Sequence, residues 1–409
     1  MLPGTMRGNG DGVTGWRIAA LGFIAFLTLV PVTLPVSVLR AFVAERFGVS
    51  ELMTSLFMSI NMVGAVLAAP LAGALSDRIG RRRELLVAGL TVDAILIYVL
   101  TLPLSFPVFM TVRFFEGCAH IFALSLLLAI ASATHTGERR GRVMGMVGGG
   151  ITLGVAVGAM LGGLLGGDDP LRPIRFGALI AGLAALLSWW LLPDAGGETE
   201  ERPGIGRIVA TLRANPLLLA PLAFAFVDRF TVGFYTTTFS LYLSGVHDLS
   251  AMRIGILIFV FMFPFALFSY PFGRLSERGS PVRLVCIGSL AYGAGTVLVP
   301  WWPVDSLFVL MVLLGIASAV MFVPSMILTT QAAPDEIRGT ALGAFNAFGS
   351  LGFIIGPATG GFVSQMVANA DGWEAGYRAA FGVAGASEAV CVLLALPFLI
   401  RLVRTGRTR

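Results

Sequence analysis

Within the apolar stretch TVRFFEGCAHIFALS, Arg113, Glu116 and His120 recur at spacings of three and four. On a helix that spacing places all three on one face, close enough to pair or to pass a proton. An ionisable side chain at membrane depth costs roughly 2.5 to 3.5 kcal/mol on insertion scales, so such groups mark a pathway, a relay or an ion pair. Proton coupling is the chemistry this trio could perform. The alternative is an Arg113–Glu116 pair that locks its helix to a neighbour without titrating. For His120 a hydrogen-bonded packing role weighs at least as much.

A second constellation follows the same logic. Asp228, Thr231, Tyr235, Thr238 and Tyr242 alternate by three and four, a polar stripe that would be costly against lipid and is expected to face a central cavity. Asp228 joins the proton-coupling candidates. Arg229 lies about 100° round the helix and starts a neighbouring line through Gly233, Thr236 and Ser240. Asp228 and Arg229 thus either engage different partners, one of them across an interface, or form a gate-closing pair.

These residues need helices to hold them, and the composition supplies little else. The chain is 56% hydrophobic and 12% charged with a mean hydropathy of +0.87, about half the charge of an ordinary soluble domain. Apolar runs of about 20 residues, enough to cross a core of about 30 Å, fall near 16–39, 52–72, 85–102, 106–133, 143–166 and 174–193. Six more fall near 217–244, 252–272, 283–302, 306–330, 340–366 and 377–400. The expected fold is an all-α integral membrane protein with twelve transmembrane helices in two six-helix halves. The halves span 1–193 and 216–409, with a polar, then amphipathic, cytoplasmic linker at 194–215. Ile205 to Leu212 has the makings of a short interfacial helix.

Every basic position apart from His is arginine. With both termini inside, twenty arginines fall in cytoplasmic segments and six in outer ones, the asymmetry that orients membrane proteins. The formal charge of +5 is therefore read as membrane orientation, and no basic, aromatic-interleaved surface suggests nucleic acid. Cys118, Cys286 and Cys391 lie in predicted helices without metal-ligand spacing, as packing residues. The first fifteen residues read as a short tail retained in the mature protein. No cofactor, metal or catalytic domain is expected.

The chain repeats itself. Residues 73–83, GALSDRIGRRR, correspond to 273–283, GRLSERGSPVR; Arg140-Gly141 and Gly145 correspond to Arg338-Gly339 and Gly343. Gly158, Gly162 and Gly163 correspond to Gly356, Gly360 and Gly361 at the same offset, which also pairs Gly117 with Gly315. Arg113 then matches Met311 and Glu116 matches Leu314, so the titratable stripe is peculiar to the first half. Duplicated halves are how secondary transporters build alternating access. The fifth span carries a glycine ladder, Gly150, Gly154, Gly158, Gly162 and Gly166, which permits close backbone approach.

Gly73, Asp77-Arg78, Gly80 and Arg81-Arg82 between two spans resemble the signature loop of the major facilitator superfamily. Arg113 followed by Glu116-Gly117 is similar to its fourth-helix motif, with Glu116 where an amide is usual. The resemblance implies a conformational latch at the loop and a proton-transfer role for Arg113. It places the third and twelfth helices at the periphery, so Asp93 and Glu388 are expected in structural or interfacial roles. Gly154, Gly158 and Gly162 resemble the family's antiporter motif, although Ala159 replaces its proline. The eleventh span has the complete pattern, with Gly352, Gly356-Pro357 and Gly360-Gly361.

The reading that results is a monomeric, proton-coupled antiporter of the cell inner (cytoplasmic) membrane, resembling the drug-efflux branch and exporting amphipathic small organic compounds. Its partners are the substrate, protons and the bilayer. The expected cavity adds Phe57, Ser59, Asn61, Arg229, Met262, Met321, Phe322, Ser325 and Asn346 to the polar stripe, an adaptable lining for apolar ligands. Uptake or facilitated transport of an organic anion or lysolipid, with Arg113 and Arg229 as clamps, is the alternative. A transport-dead sensor or assembly partner is a third reading.

Overall fold

A computed structural model of the protein describes residues 10–133, 138–192 and 205–404, without the side chains of residues 10–14, 73, 74, 76, 77, 138–141, 205 and 335. All regular structure among them is helical. The first six long helices are α1 (Gly10–Ser37), α2 (Glu51–Ile79), α3 (Arg82–Val99), α4 (Phe106–Ala133), α5 (Glu138–Leu165) and α6 (Arg172–Leu191). A short amphipathic α7 (Ile205–Ala214) precedes α8 (Leu219–Thr236), α9 (Thr238–Gly245), α10 (Ala251–Arg278), α11 (Pro281–Leu298), α12 (Leu307–Ala332), α13 (Arg338–Asp371) and α14 (Trp373–Arg404).

Eleven stretches among the described residues are long and apolar enough to cross a membrane, with α8 and α9 counted within one, Pro216–Gly245. The twelfth expected helix, α3, misses that composition because Arg82, Arg83, Glu84 and Asp93 fall within its 18 residues. It nevertheless packs along α4 and α6, burying Leu86, Leu90 and Ile97.

The seventh span departs from the single helix expected over 217–244. It breaks at Thr237, whose backbone adopts φ −132° and ψ −76°. Three consecutive β-branched residues, Thr236 to Thr238, stand at the break. The hydroxyls of Thr236 and Thr237 both donate to the Gly233 carbonyl at 2.9 Å, offering the backbone a partner outside the helical ladder. Such a freed backbone is tolerated at membrane depth only where protein satisfies it.

The glycine ladders explain how the bundles close. Along α5, Gly150, Gly154, Gly158 and Gly162 each face backbone of α1, meeting Gly22, Phe26, Val30 and Leu34 in turn. Along α13, Gly352 and Gly356 face the Phe226 and Phe230 carbonyls of α8 in the same manner, while Pro357 abuts Gly233. A Cβ at any of these six glycines would collide with its neighbour, so the contacts are of the small-residue kind that lets membrane helices touch at the backbone. The next ladder positions turn outward to the other half: Gly163 meets Ala251 of α10, and Gly361 meets Leu52 and Ser55 of α2. The duplication in the sequence is thus a duplication in packing.

The approaches between the first six helices and the last seven gather at one end, where α1 finishes and α2 begins. There the Ser59 hydroxyl donates to the Ile354 carbonyl at 2.7 Å, and Ser240 donates to Val36 at 2.6 Å. Gly255 of α10 fits against Ala159 of α5, the residue standing where the antiporter motif has proline.

Candidate functional site

The first site sits where α2, α3 and α4 cross. Gly117 lets α4 come down on the Asn61 backbone of α2, which brings the Asn61 side chain to the carboxylate one residue before that glycine. The Asn61 amide donates to Glu116 Oε2 at 2.5 Å, and Arg113 Nη1 donates to the same oxygen at 2.6 Å. Arg113 and Glu116 are 2% and 3% exposed, so an ion pair and an amide are sealed away from both water and lipid. The Arg113 guanidinium lies 4.4 Å from the Phe57 ring centroid, with Met58 Sδ at 3.8 Å from its Nη2. Phe57 in turn stacks on Phe109.

One turn further along α4, His120 Nδ1 lies 3.3 Å from Asp93 Oδ2 of α3. Asp93 is fully buried, and its second oxygen has no hydrogen-bond partner. The expected face of Arg113, Glu116 and His120 is therefore present. Asn61, expected as cavity lining, acts instead as the third member of the Glu116 site. Asp93, expected in a structural or interfacial role, is buried between α3 and α4 as the partner of His120.

The second site is built on α8. Asp228 Oδ1 accepts from Ser318 of α12 at 3.3 Å, and its Oδ2 lies 3.6 Å from Arg229. Thr231 donates to Glu388 Oε1 of α14 at 2.9 Å, and Ser289 of α11 donates to Oε2 at 2.6 Å. The Tyr235 hydroxyl bonds Thr296 of α11 at 3.0 Å. Tyr242 lies near Tyr377 and Phe381 of α14 and hydrogen-bonds His247 at 2.8 Å.

This geometry corrects the expected open lining. Asp228, Thr231, Tyr235 and Tyr242 are all buried, and the stripe is a seam that ties α8 and α9 to α11, α12 and α14. Its periodicity also fails at the helix break, beyond which Thr238 faces Gly360 of α13. Glu388 is the hub of the seam, receiving two hydroxyls and, among the described residues, no ion pair.

The remaining lining candidates scatter. Ser59 belongs to the contact between halves, Met321 is fully buried, and Ser325 donates to Phe322 within its own helix. Met262 is half-buried and Asn346 exposed. Arg229 keeps company with Phe322, 4.1 Å from its ring centroid.

Of the signature loop, Gly80 takes the left-handed conformation at φ 69° between α2 and α3. Arg81 pairs with Glu84 at 3.2 Å, Arg82 is buried and Arg78 exposed. Gly73 and Asp77 lie outside the described side chains. Among the described residues no cluster of three His, Cys, Asp or Glu side chains could hold a metal.

The family model described as Major Facilitator Superfamily matches residues 21–250 and 221–408. A curated protein, magnetosome protein MamH of Paramagnetospirillum magneticum (strain ATCC 700264 / AMB-1), is 31% identical over 245 residues. That match covers 56% of this chain and 54% of MamH, so the chain spans about half the length of the curated relative. Among solved structures, nucleoside transporter NupG superposes with a TM-score of 0.78 at 14% identity, covering 93% of this chain and 98% of NupG. A bacterial homolog of the human lysosomal transporter Spinster, in an inward-facing and unoccupied conformation, gives 0.75 at 17% identity over 97% and 98%. At those identities the likeness is one of fold.

Proposed function

The chain belongs to the Major Facilitator Superfamily, and from that premise we propose that it is a secondary active transporter that exchanges protons for amphipathic small organic compounds by alternating access. The observation that carries this reading is the sealed Asn61–Glu116–Arg113 site. A carboxylate that accepts from both an amide and a guanidinium, inside a helix face that the repeat does not require to be charged, is a place where a proton can be exchanged for a rearranged ion pair. His120 and Asp93 extend the ionisable groups one turn along α4, a second stop for the same proton.

The contact between halves supports alternating access. It lies at the end holding Arg40, Arg46 and few other arginines. Placing the arginine-rich end in the cytoplasm puts this contact on the outer side, so the halves meet outside in one of the two states that alternating access requires. The reading includes two transmembrane halves joined through 194–215, a location in the cell inner (cytoplasmic) membrane with both termini inside, and a monomer.

The test is flux in proteoliposomes holding the purified chain, with a pH gradient imposed in either direction and a panel of amphipathic cations, anions and neutral compounds. Expected is accumulation of at least one compound against its gradient, reversed when the pH gradient is reversed. Flux that ignores the pH gradient for the whole panel would overturn proton coupling.

A further inference from the structure

Arg229 is the second arginine inside a span, and its surroundings differ from those of Arg113. Arg113 is 2% exposed and spends its Nη1 on Glu116. The Arg229 side chain is 25% exposed, at the junction of α8, α12 and α13. Its guanidinium carbon lies 4.1 Å from the Phe322 centroid of α12 and 5.4 Å from the Phe353 centroid of α13. Two glycines of α13 make room for its stem: a Cβ at Gly349 would stand 3.2 Å from Arg229 Cγ, and one at Gly352 would stand 3.0 Å from its Cβ.

What the site lacks points to a ligand. A guanidinium carries five N–H donors in a rigid planar fork. None of them makes a hydrogen bond among the described residues, because the contact with Asp228 at 3.6 Å is a charge contact beyond hydrogen-bond length. Asp228 Oδ2, buried, also lacks a hydrogen bond. Rings beside the guanidinium restrain it while leaving donors at its edge to be satisfied. A carboxylate, sulfonate or phosphate oxygen pair fits such an edge in bidentate fashion, and Phe322 and Phe353 offer apolar surface to whatever the anion is attached to.

We propose that Arg229 is the anchor for the head of an organic anion with an aromatic or apolar body, and that Asp228 is the internal counter-ion the ligand displaces. This deepens the transport reading and rests on it only for what the ligand is bound for. The ionisable groups facing Asp228 are Arg229 on its own helix, Tyr292 of α11 and Glu388 of α14. From α12 it is met by Ser318, and α13 carries no charged side chain between Arg338 and Asp371. A proton on Asp228 removes the competitor for Arg229, so anion affinity rises as the pH falls.

The test uses the full chain in phosphatidylcholine nanodiscs, titrated with 1-naphthoate and with its cationic counterpart 1-naphthylmethylammonium, read by fluorescence and by thermal stabilisation. Expected is at least fivefold tighter binding of the anion. That preference should be lost in Arg229→Gln, partly kept in Arg229→Lys, and strengthened with a flattened pH dependence in Asp228→Asn. Equal binding of both probes, no binding of naphthoate by the native chain, or an undiminished preference in Arg229→Gln each overturns the proposal. Should Arg229→Gln fail to fold, Arg229→Lys with native affinity and native pH dependence overturns it as well. Phosphatidylglycerol in the nanodiscs separates two sources of the same chemistry: displaced naphthoate marks a lipid head as the occupant, undisplaced naphthoate a soluble anion. Proton-driven flux is an independent readout. Naphthoate binding without such flux keeps this site and sinks the transport reading, and flux without anion preference does the reverse.

Discussion

The crossing of α2 with α4 and the crossing of α10 with α12 are built on one plan and filled differently. In the first, Gly117 rests on the Asn61 backbone; in the second, Gly315 rests on the Phe261 backbone. Beside these glycines stand Arg113 and Glu116 in one case and Met311 and Leu314 in the other, all buried. Where the first crossing holds an amide on a carboxylate, the second holds Phe261 in a three-ring cluster with Tyr235 and Tyr292, at 5.2 and 6.1 Å between centroids. The close approach of the helices therefore needs the glycine and does not need the charges. In the second group of helices the polar residues stand elsewhere, on the α8 seam around Glu388.

The hardest way to break this comparison is to write the first crossing into the second. Leu314→Glu buries a carboxylate where the second crossing has Met311 in place of the first crossing's arginine. It should cost about 3 to 5 kcal/mol, seen as loss of membrane abundance and a large fall in Tm. Pairing it with Met311→Arg should restore part of the loss, and a stable single mutant would show that the second crossing tolerates charge after all. Next in size, Glu116→Gln should reduce proton-driven transport at least tenfold while substrate exchange persists, because the amide keeps an acceptor for Arg113 and Asn61 but cannot release a proton; undiminished pH-driven flux counts against a coupling role. Gly117→Ala and Gly315→Ala sharpen the shared part. Each forces a methyl into facing backbone, costs about 1 to 3 kcal/mol, and should lower Tm by similar amounts. Smallest is Glu388→Gln, which keeps an acceptor for one of the Thr231 and Ser289 hydroxyls and offers an amide donor to the other, a hydroxyl that can turn to accept, and should change stability by less than about 1 kcal/mol. A larger drop in its thermal unfolding would mean that the carboxylate itself holds the seam.

Much of the architecture was legible because membrane thickness sets a length and glycine spacing sets a contact. The helix–helix partners of Gly154 and Gly356 follow a register already visible in the repeat. The Arg113–Glu116 pair was legible because both residues share one helix, where spacing is geometry. Asn61 was visible as a polar residue but not as the ligand of Glu116, since the pairing depends on how two helices cross. For Asp93 and Glu388 an interfacial role was legible, but their partners were not, for the same reason. In water an apolar stripe tells which face is inside, but lipid is as apolar as a core, so a membrane helix gives no such signal. The seam around Glu388 draws its partners from α8 and α11, two helices more than 90 residues apart from it in sequence for Ser289 and more than 150 for Thr231. The break at Thr237 escaped because its neighbours Thr236 and Thr238 read as members of two polar lines before the run read as a weak point in a helix.

That break gives the seventh span a joint. Below it, α8 is bound to α13 through glycines; above it, α9 donates through Ser240 to α1 of the opposite half. A 30-residue rod would have to tilt as one body, carrying both attachments with it. With the ladder interrupted at a single residue, the two pieces need not share one axis, so a single span meets α13 from below the break and α1 of the opposite half from above it.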